Sequence, residues 1–116
     1  MRVIIQRVDY TEISINNMVH SSIRKGLLLL LGIEVADTQD DIDWLINKIL
    51  HLRIFSDGDG LMNLSILDVQ GDIMVVSQFT LFASTKKGTR PGFIRAAKPD
   101  FAKTIYQDFL DNIKSK

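Results

Sequence analysis

Cysteine is absent from the 116-residue sequence, which excludes a disulfide framework, a thiolate metal site and a cysteine nucleophile together. Only two histidines occur, His20 and His51, so imidazole bases are scarce as well. Neither charge is in excess: 14 basic residues balance 14 acidic ones, and no global field draws the chain onto nucleic acid. Long apolar runs are missing too. The longest, Leu27 through Ile33, falls far short of the roughly 20 residues a membrane helix needs and reads as a buried strand. Residues 1–7 place arginines where a secretory signal needs an apolar core, so no targeting segment is expected. A reducing, cytoplasmic setting is compatible with all of this. The sequence also holds no GxSxG elbow, no HExxH and no glycine-rich phosphate loop. A triad enzyme and a metalloenzyme are thereby disfavoured, and no cofactor is predicted.

What is present is an ordinary globular composition, 46% hydrophobic and 24% charged, in a length that fits one domain over residues 1–116. Residues 2–8 are rich in β-branched side chains and read as a strand. Glu12-Ile13-Ser14-Ile15 alternates, and Asn16-Asn17 suits a two-residue turn into Met18-Val19-His20. With the leucine run, these predict an antiparallel meander. Asp37 and Thr38 offer N-cap oxygens to a helix whose Ile42, Leu45, Ile46 and Ile49 form one apolar face. Trp44 lies off that face, positioned to cover a neighbouring element or a subunit contact. A second helix carries Ala102, Ile105, Tyr106, Phe109 and Ile113. The class is α+β, mostly antiparallel, with two helices.

Acidic residues cluster at Glu34, Asp37, Asp40, Asp41 and Asp43, where the helix dipole favours them, so no metal site is read there. Ser56-Asp57-Gly58-Asp59-Gly60 resembles a calcium loop only in composition; the glutamate at the twelfth position and the flanking helices are lacking, so it reads as a turn. Basic residues gather between Lys86 and Lys103, suiting either phosphate contact or a solvated surface. The stretch with unusual chemistry is Ile73-Met74-Val75-Val76-Ser77-Gln78-Phe79-Thr80-Leu81-Phe82-Ala83. It reads as a core-like strand interrupted by Ser77, Gln78 and Thr80. With no base beside it, two readings remain. It is a polar strand end capping an open barrel, or a place where backbone N–H groups stabilise a developing oxyanion.

The stretch Ser77-Gln78-Phe79-Thr80-Leu81 resembles the signature of the D-aminoacyl-tRNA deacylases, also called D-Tyr-tRNA(Tyr) deacylases. The similarity extends to residues 1–8, 26–32, 48–55, 62–65 and 87–93, and so runs in order through essentially the whole chain. It implies a barrel-like β-sheet with two flanking helices and a homodimer with active sites at the subunit interface. The activity it implies is metal-free hydrolysis of the ester joining a D-amino acid, or mischarged glycine on tRNA(Ala), to the tRNA's 3′-terminal adenosine. Ser77, Gln78, Phe79 and Thr80 would form the catalytic centre. Amides near Phe79 and Thr80 would serve as the oxyanion hole, and the tRNA's 2′-hydroxyl would assist. Thr80 as nucleophile would lack an activating base. Arg7, Lys86, Lys87, Gly88, Arg90, Pro91 and Phe93 would bind substrate. The family continues into a strand with an Asn-x-Gly-Pro-x-Thr motif, whose cis Gly-Pro bond rejects L-amino acids and which Arg7 helps to hold. Pro91 and Pro99 do not stand in such a motif. A chain ending at Lys116 is therefore expected to lack that filter and Arg7 its partner, with an inactive tRNA-binding or dimerisation module as the alternative.

Overall fold

In the computed structural model the leucine run is β4 (Gly26–Gly32), the middle strand of a three-stranded sheet. Its neighbours are β1 (Arg2–Val8) and β7 (Asp72–Ser77), giving the order β1-β4-β7. Leu27, Leu29 and Leu31 are almost fully buried on one face and Leu28 and Leu30 half-buried on the other, which accounts for a run with no polar alternation. The description covers residues 1–86 and 88–114.

The expected meander is only partly realised. β2 (Thr11–Ile15) and β3 (Met18–Ile23) do pair antiparallel, with Ile15 opposite Met18. Asn16 and Asn17 both take positive φ, 53° and 65°, as a two-residue hairpin turn requires. This hairpin forms its own two-stranded sheet, and β1 pairs with β4 instead of β2. β4 carries the buried side chains Leu27, Leu29 and Leu31, whereas β2 and β3 carry none. A second antiparallel pair joins β5 (Phe55–Ser56) to β6 (Met62–Leu64).

Helix α1 spans Gln39–His51, with Ile42, Leu45, Ile46 and Ile49 buried as the spacing predicts. Thr38 precedes it, and Asp41 returns its carboxylate to the Thr38 N–H at 2.8 Å. Asp37 does not cap. Its buried carboxylate accepts from the Met1 ammonium at 2.6 Å and from the Glu34 N–H at 2.8 Å. Trp44 remains largely exposed. Among the described residues there are three α-helices where the sequence predicts two. The addition is α2 (Ile66–Val69), a single turn too short to show helical periodicity. Its evidence lies in its cap: Ser65 and Asp68 exchange bonds at 2.9 and 3.2 Å. The last helix, α3, spans Pro99–Lys114 and buries Ile105 and Phe109. No helix among the described residues is long and apolar enough to cross a membrane.

The chain divides into two compact units, one of Met1–Ile4, Leu30–Ile46 and Val76–Lys116, the other of Ile5–Leu29 and Asn47–Val75. The first buries Leu31, Ile33, Ile42, Ile46, Phe82, Ile105 and Phe109; the second buries Leu27, Leu29, Ile49, Leu50, Phe55, Ile66 and Met74. Each such side chain contributes about 1.5–3 kcal/mol.

Candidate active site

β7 ends at Ser77, where the polar stretch begins, so the strand expected through residues 73–83 is interrupted. The Gln78 N–H donates to the Leu31 carbonyl at 2.7 Å, and the chain then leaves the sheet for a 3-10 turn over Phe79–Phe82. The Leu81 N–H reaches the Gln78 carbonyl at 3.4 Å, and the Ala83 N–H reaches the Thr80 carbonyl at 3.0 Å. Phe79 and Thr80 open this turn, and the first N–H groups of a helical turn have no acceptor within it. Gln78 offers no side-chain cap to them. Its Nε2 donates to the Thr80 hydroxyl instead.

Three long-range contacts hold the turn in place. A Cβ at Gly32 would stand 2.9 Å from the Leu81 Cβ and 3.1 Å from the Phe82 ring, so only glycine lets β4 end so close to the turn. Arg2 Nη1 donates to the Leu81 carbonyl at 2.8 Å, with its guanidinium 4.8 Å from the centre of the buried Phe82 ring. Arg95 lies 5.5 Å from the same ring, and its Nη2 donates to Glu34 at 2.8 Å.

Beside the turn opens a cleft of about 640 Å³. Ser77 and Phe79 contribute from the strand end and turn, while Phe93, Ala96, Ala97 and Lys98 contribute from the loop that follows. Pro99, Ala102, Lys103 and Tyr106 complete the lining, spaced at i, i+3, i+4 and i+7 on one face of α3. The Phe79 and Phe93 rings meet edge to face with centroids 5.1 Å apart. Burial raises the Tyr106 phenol above its ordinary range, so at neutral pH it is an uncharged hydroxyl. No group of three or more His, Asp or Glu side chains among the described residues converges to hold a metal.

Of the residues predicted from sequence, Ser77, Phe79 and Phe93 share this cleft, and Gln78 and Thr80 adjoin it through the turn. Lys86, Gly88, Arg90 and Pro91 do not line it. They sit on an exposed loop closed by a pair of backbone bonds between Ser84 and Gly92, at 2.7 and 2.8 Å. Lys87 lies outside the described residues. Arg7 belongs to the other unit, where its Nη1 donates to the Ile54 carbonyl at 2.8 Å. It lines a smaller cleft of about 360 Å³ together with Asp9 and Lys25.

Sequence reasoning missed Lys98, Lys103 and Tyr106 as cleft residues. A signal existed in the small side chains Ala96, Ala97 and Ala102 around Pro99, which leave room for a ligand. Tyr106 was hidden by its place beside Ile105 on an apolar helix face. His51 plays no part here: its Nδ1 meets the Asn47 carbonyl at 2.8 Å, within the other unit.

Comparison with known proteins bears on this geometry. The family model described as D-Tyr-tRNA(Tyr) deacylase matches residues 4–116. The D-aminoacyl-tRNA deacylase of Flavobacterium johnsoniae is 56% identical over 116 residues, spanning 100% of this chain and 77% of that protein. That of Phocaeicola vulgatus is 54% identical over 113 residues, 97% of this chain and 75% of that protein. The solved structure of the c-Myc DNA Unwinding Element Binding Protein superposes with a TM-score of 0.94 at 35% identity, covering 99% of this chain and 77% of that one. A probable eukaryotic D-amino acid tRNA deacylase superposes at 0.82 with 19% identity, over 97% of this chain and 66% of that one, and so speaks for the fold alone.

Proposed function

Because the chain belongs to the D-Tyr-tRNA(Tyr) deacylase family, we propose that the cleft beside the 3-10 turn is where it cleaves its substrate. The chain is an aminoacyl-tRNA ester hydrolase: it releases the D-amino acid from D-aminoacyl-tRNA, a proofreading step in translation. A volume of about 640 Å³ is in the range that accommodates an aminoacylated nucleoside.

In the proposed reaction, water adds to the ester carbonyl and negative charge develops on the carbonyl oxygen. The Phe79 and Thr80 amides, which open the 3-10 turn without an acceptor inside it, donate to that oxygen. Donors fixed before the charge appears need no reorganisation, which is why such a site accelerates acyl transfer. The tetrahedral intermediate collapses by breaking the bond to the ribose oxygen, which leaves with a proton. The vicinal hydroxyl of the ribose relays it, and neither histidine lines the cleft to do so. The Thr80 hydroxyl accepts from Gln78 Nε2, and in this reading it positions the turn, since no histidine lines the cleft to activate it as a nucleophile.

The turn at the cleft wall is the observation that carries this reading. The same reading has mischarged glycine on tRNA(Ala) as a second substrate and the cytoplasm as the place of action. It also has residues 1–116 working as one domain in a barrel-like, homodimeric, cofactor-free enzyme. Within it Arg7 and the loop bearing Lys86, Lys87, Gly88, Arg90 and Pro91 contact the tRNA or the partner rather than the reacting ester. The test is release of labelled tyrosine from D-Tyr-tRNA and from L-Tyr-tRNA. Release of D-tyrosine above the spontaneous rate is expected, and a rate equal to the enzyme-free control would overturn the assignment.

A further inference from the structure

The charged side chains of the cleft are both ammonium groups, Lys98 and Lys103, and its lining contains no carboxylate. Neither lysine makes an ion pair or hydrogen bond through its side chain among the described residues. Arg95, the cation nearest them in the same loop, is already engaged with Glu34. Both lysines are exposed, and in a cleft otherwise walled by rings, alanines and hydroxyls with no carboxylate they favour an anionic group on the ligand.

An aminoacylated 3′-terminal nucleoside carries two charges. Its α-amine is cationic, and the phosphodiester on its 5′ side is anionic. The amine would be repelled by Lys98 and Lys103; the phosphodiester would be attracted. We infer that Lys98 and Lys103 form a phosphate subsite for the last phosphodiester of the acceptor strand, and that the α-amine faces away from them. The inference rests on the catalytic reading above and adds a polarity to it: the nucleoside enters with its 5′ side toward the start of α3. It also moves the phosphate contact from the exposed loop at residues 86–91 to the cleft itself. Lys98 and Lys103 are binding residues and do not touch the reacting ester.

The experiment compares ligands that differ only in that phosphate. Three substrates are used: D-Tyr-tRNA, D-tyrosyl-adenosine without phosphate, and D-tyrosyl-adenosine 5′-phosphate. The non-hydrolysable 3′-amide analogues of the last two are also titrated for binding, so that an inactive preparation still gives an answer. Lys98→Ala and Lys103→Ala are each expected to raise KM for the phosphate-bearing substrates by about tenfold, with kcat unchanged. The phosphate-free substrate and its analogue are expected to respond less than twofold. Equal losses on both kinds of ligand would overturn the subsite, and so would no loss on either. The catalytic reading fails by a different outcome, namely unchanged turnover of phosphate-free D-tyrosyl-adenosine once the Phe79 amide is removed.

Discussion

The two units of the chain hold their polar groups in different ways. In the unit of Ile5–Leu29 and Asn47–Val75, most side-chain bonds join near neighbours in sequence. Asp57 accepts from the Asp59 and Leu61 amides at 2.8 and 3.1 Å, Ser65 and Asp68 cap each other, and the Tyr10 hydroxyl donates to Glu12 at 2.6 Å. In the unit with the cleft, the bonds that shape the site reach far along the chain. Arg2 meets Leu81, Arg95 meets Glu34, and the Met1 ammonium meets Asp37. Local bonds build turns that any sequence of that kind would form. Distant bonds place one turn against one strand end, and that placement is what a catalytic geometry needs.

The contrast is sharpest at two glycines. A Cβ on Gly26 would lie 1.8 Å from the Asp72 carbonyl oxygen, a backbone atom that cannot swing away. Gly26→Ala is therefore expected to cost on the order of 3 kcal/mol or more and to lower the yield of folded protein, measured by thermal melting and soluble expression. Activity per folded molecule is expected to be preserved. Should the melt be unchanged, the local account of that unit is wrong.

Next in size is the loss of the Phe79 amide. Phe79→Pro removes the N–H at the first position of the turn, where the extended Gln78 before it (φ −142°, ψ 90°) tolerates a following proline. A fall of about 100-fold or more in kcat is expected, with the far-ultraviolet spectrum retained. Phe79→Ala, which loses the ring but keeps the N–H, separates the two effects and is expected to retain most of kcat. Proline at Thr80 would be the poorer probe, because it would force Phe79 out of its helical conformation.

Gly32→Ala is expected to have a smaller effect than either. The added methyl meets Leu81 and Phe82 at 2.9 and 3.1 Å, so the turn has to shift by a few tenths of an ångström. A loss of roughly tenfold in kcat is expected with only a modest drop in melting temperature. A large drop in melting temperature with kcat intact would mean that the turn's position is a matter of packing alone.

How much of this was legible in the sequence follows the same division. The Asn16-Asn17 turn, the apolar face of α1 and the buried leucine strand were readable because each depends on residues a few positions apart. The class and the polar stretch at residues 77–80 were readable for the same reason. The end of β7 at Ser77 was not, because the bond from Gln78 to Leu31 that closes the sheet is long-range. The roles of Arg2 and Gly32 were equally silent, since nothing in their neighbourhoods marks them as supporting a site, while Lys103 was legible as part of a basic run but not as a cleft residue. The capping box at Ser65 and Asp68 is the exception. It was local and legible, and it was obscured only by the shortness of the helix it starts.

The smallest expected effects are in acid. Two backbone N–H groups, those of Leu61 and Asp59, hold the Asp57 carboxyl below its ordinary range; Asp68 is lowered first by the Ser65 backbone N–H and then by the Ser65 hydroxyl. A depressed carboxyl contributes stability that is present above its unfolded pKa, about 3.9, and is lost as pH falls through the lower folded value. Denaturant titrations at pH 7 and pH 3 should therefore show a smaller pH-dependent loss for Asp57→Asn than for the parent. Ser65→Ala is expected to cost about 1 kcal/mol at pH 7 through the lost cap, yet to leave most of the acid dependence in place. If both variants titrated like the parent, these local turns would be held by their backbones alone.

The same Asp57 turn bears on how the protein ages. An aspartate followed by glycine is prone to cyclise, the following peptide nitrogen attacking the side-chain carboxyl to give a succinimide and then isoaspartate. Two such pairs stand side by side here, Asp57-Gly58 and Asp59-Gly60. The Asp57 carboxylate is pinned by two amides and kept ionised, which makes it a poor electrophile held away from the required rotation. Asp59 accepts no such bonds among the described residues. Isoaspartate is therefore expected to accumulate at Asp59 and not at Asp57 in stored protein, as peptide mapping would show, so the turn that shapes this loop also decides which of its two bonds wears out first.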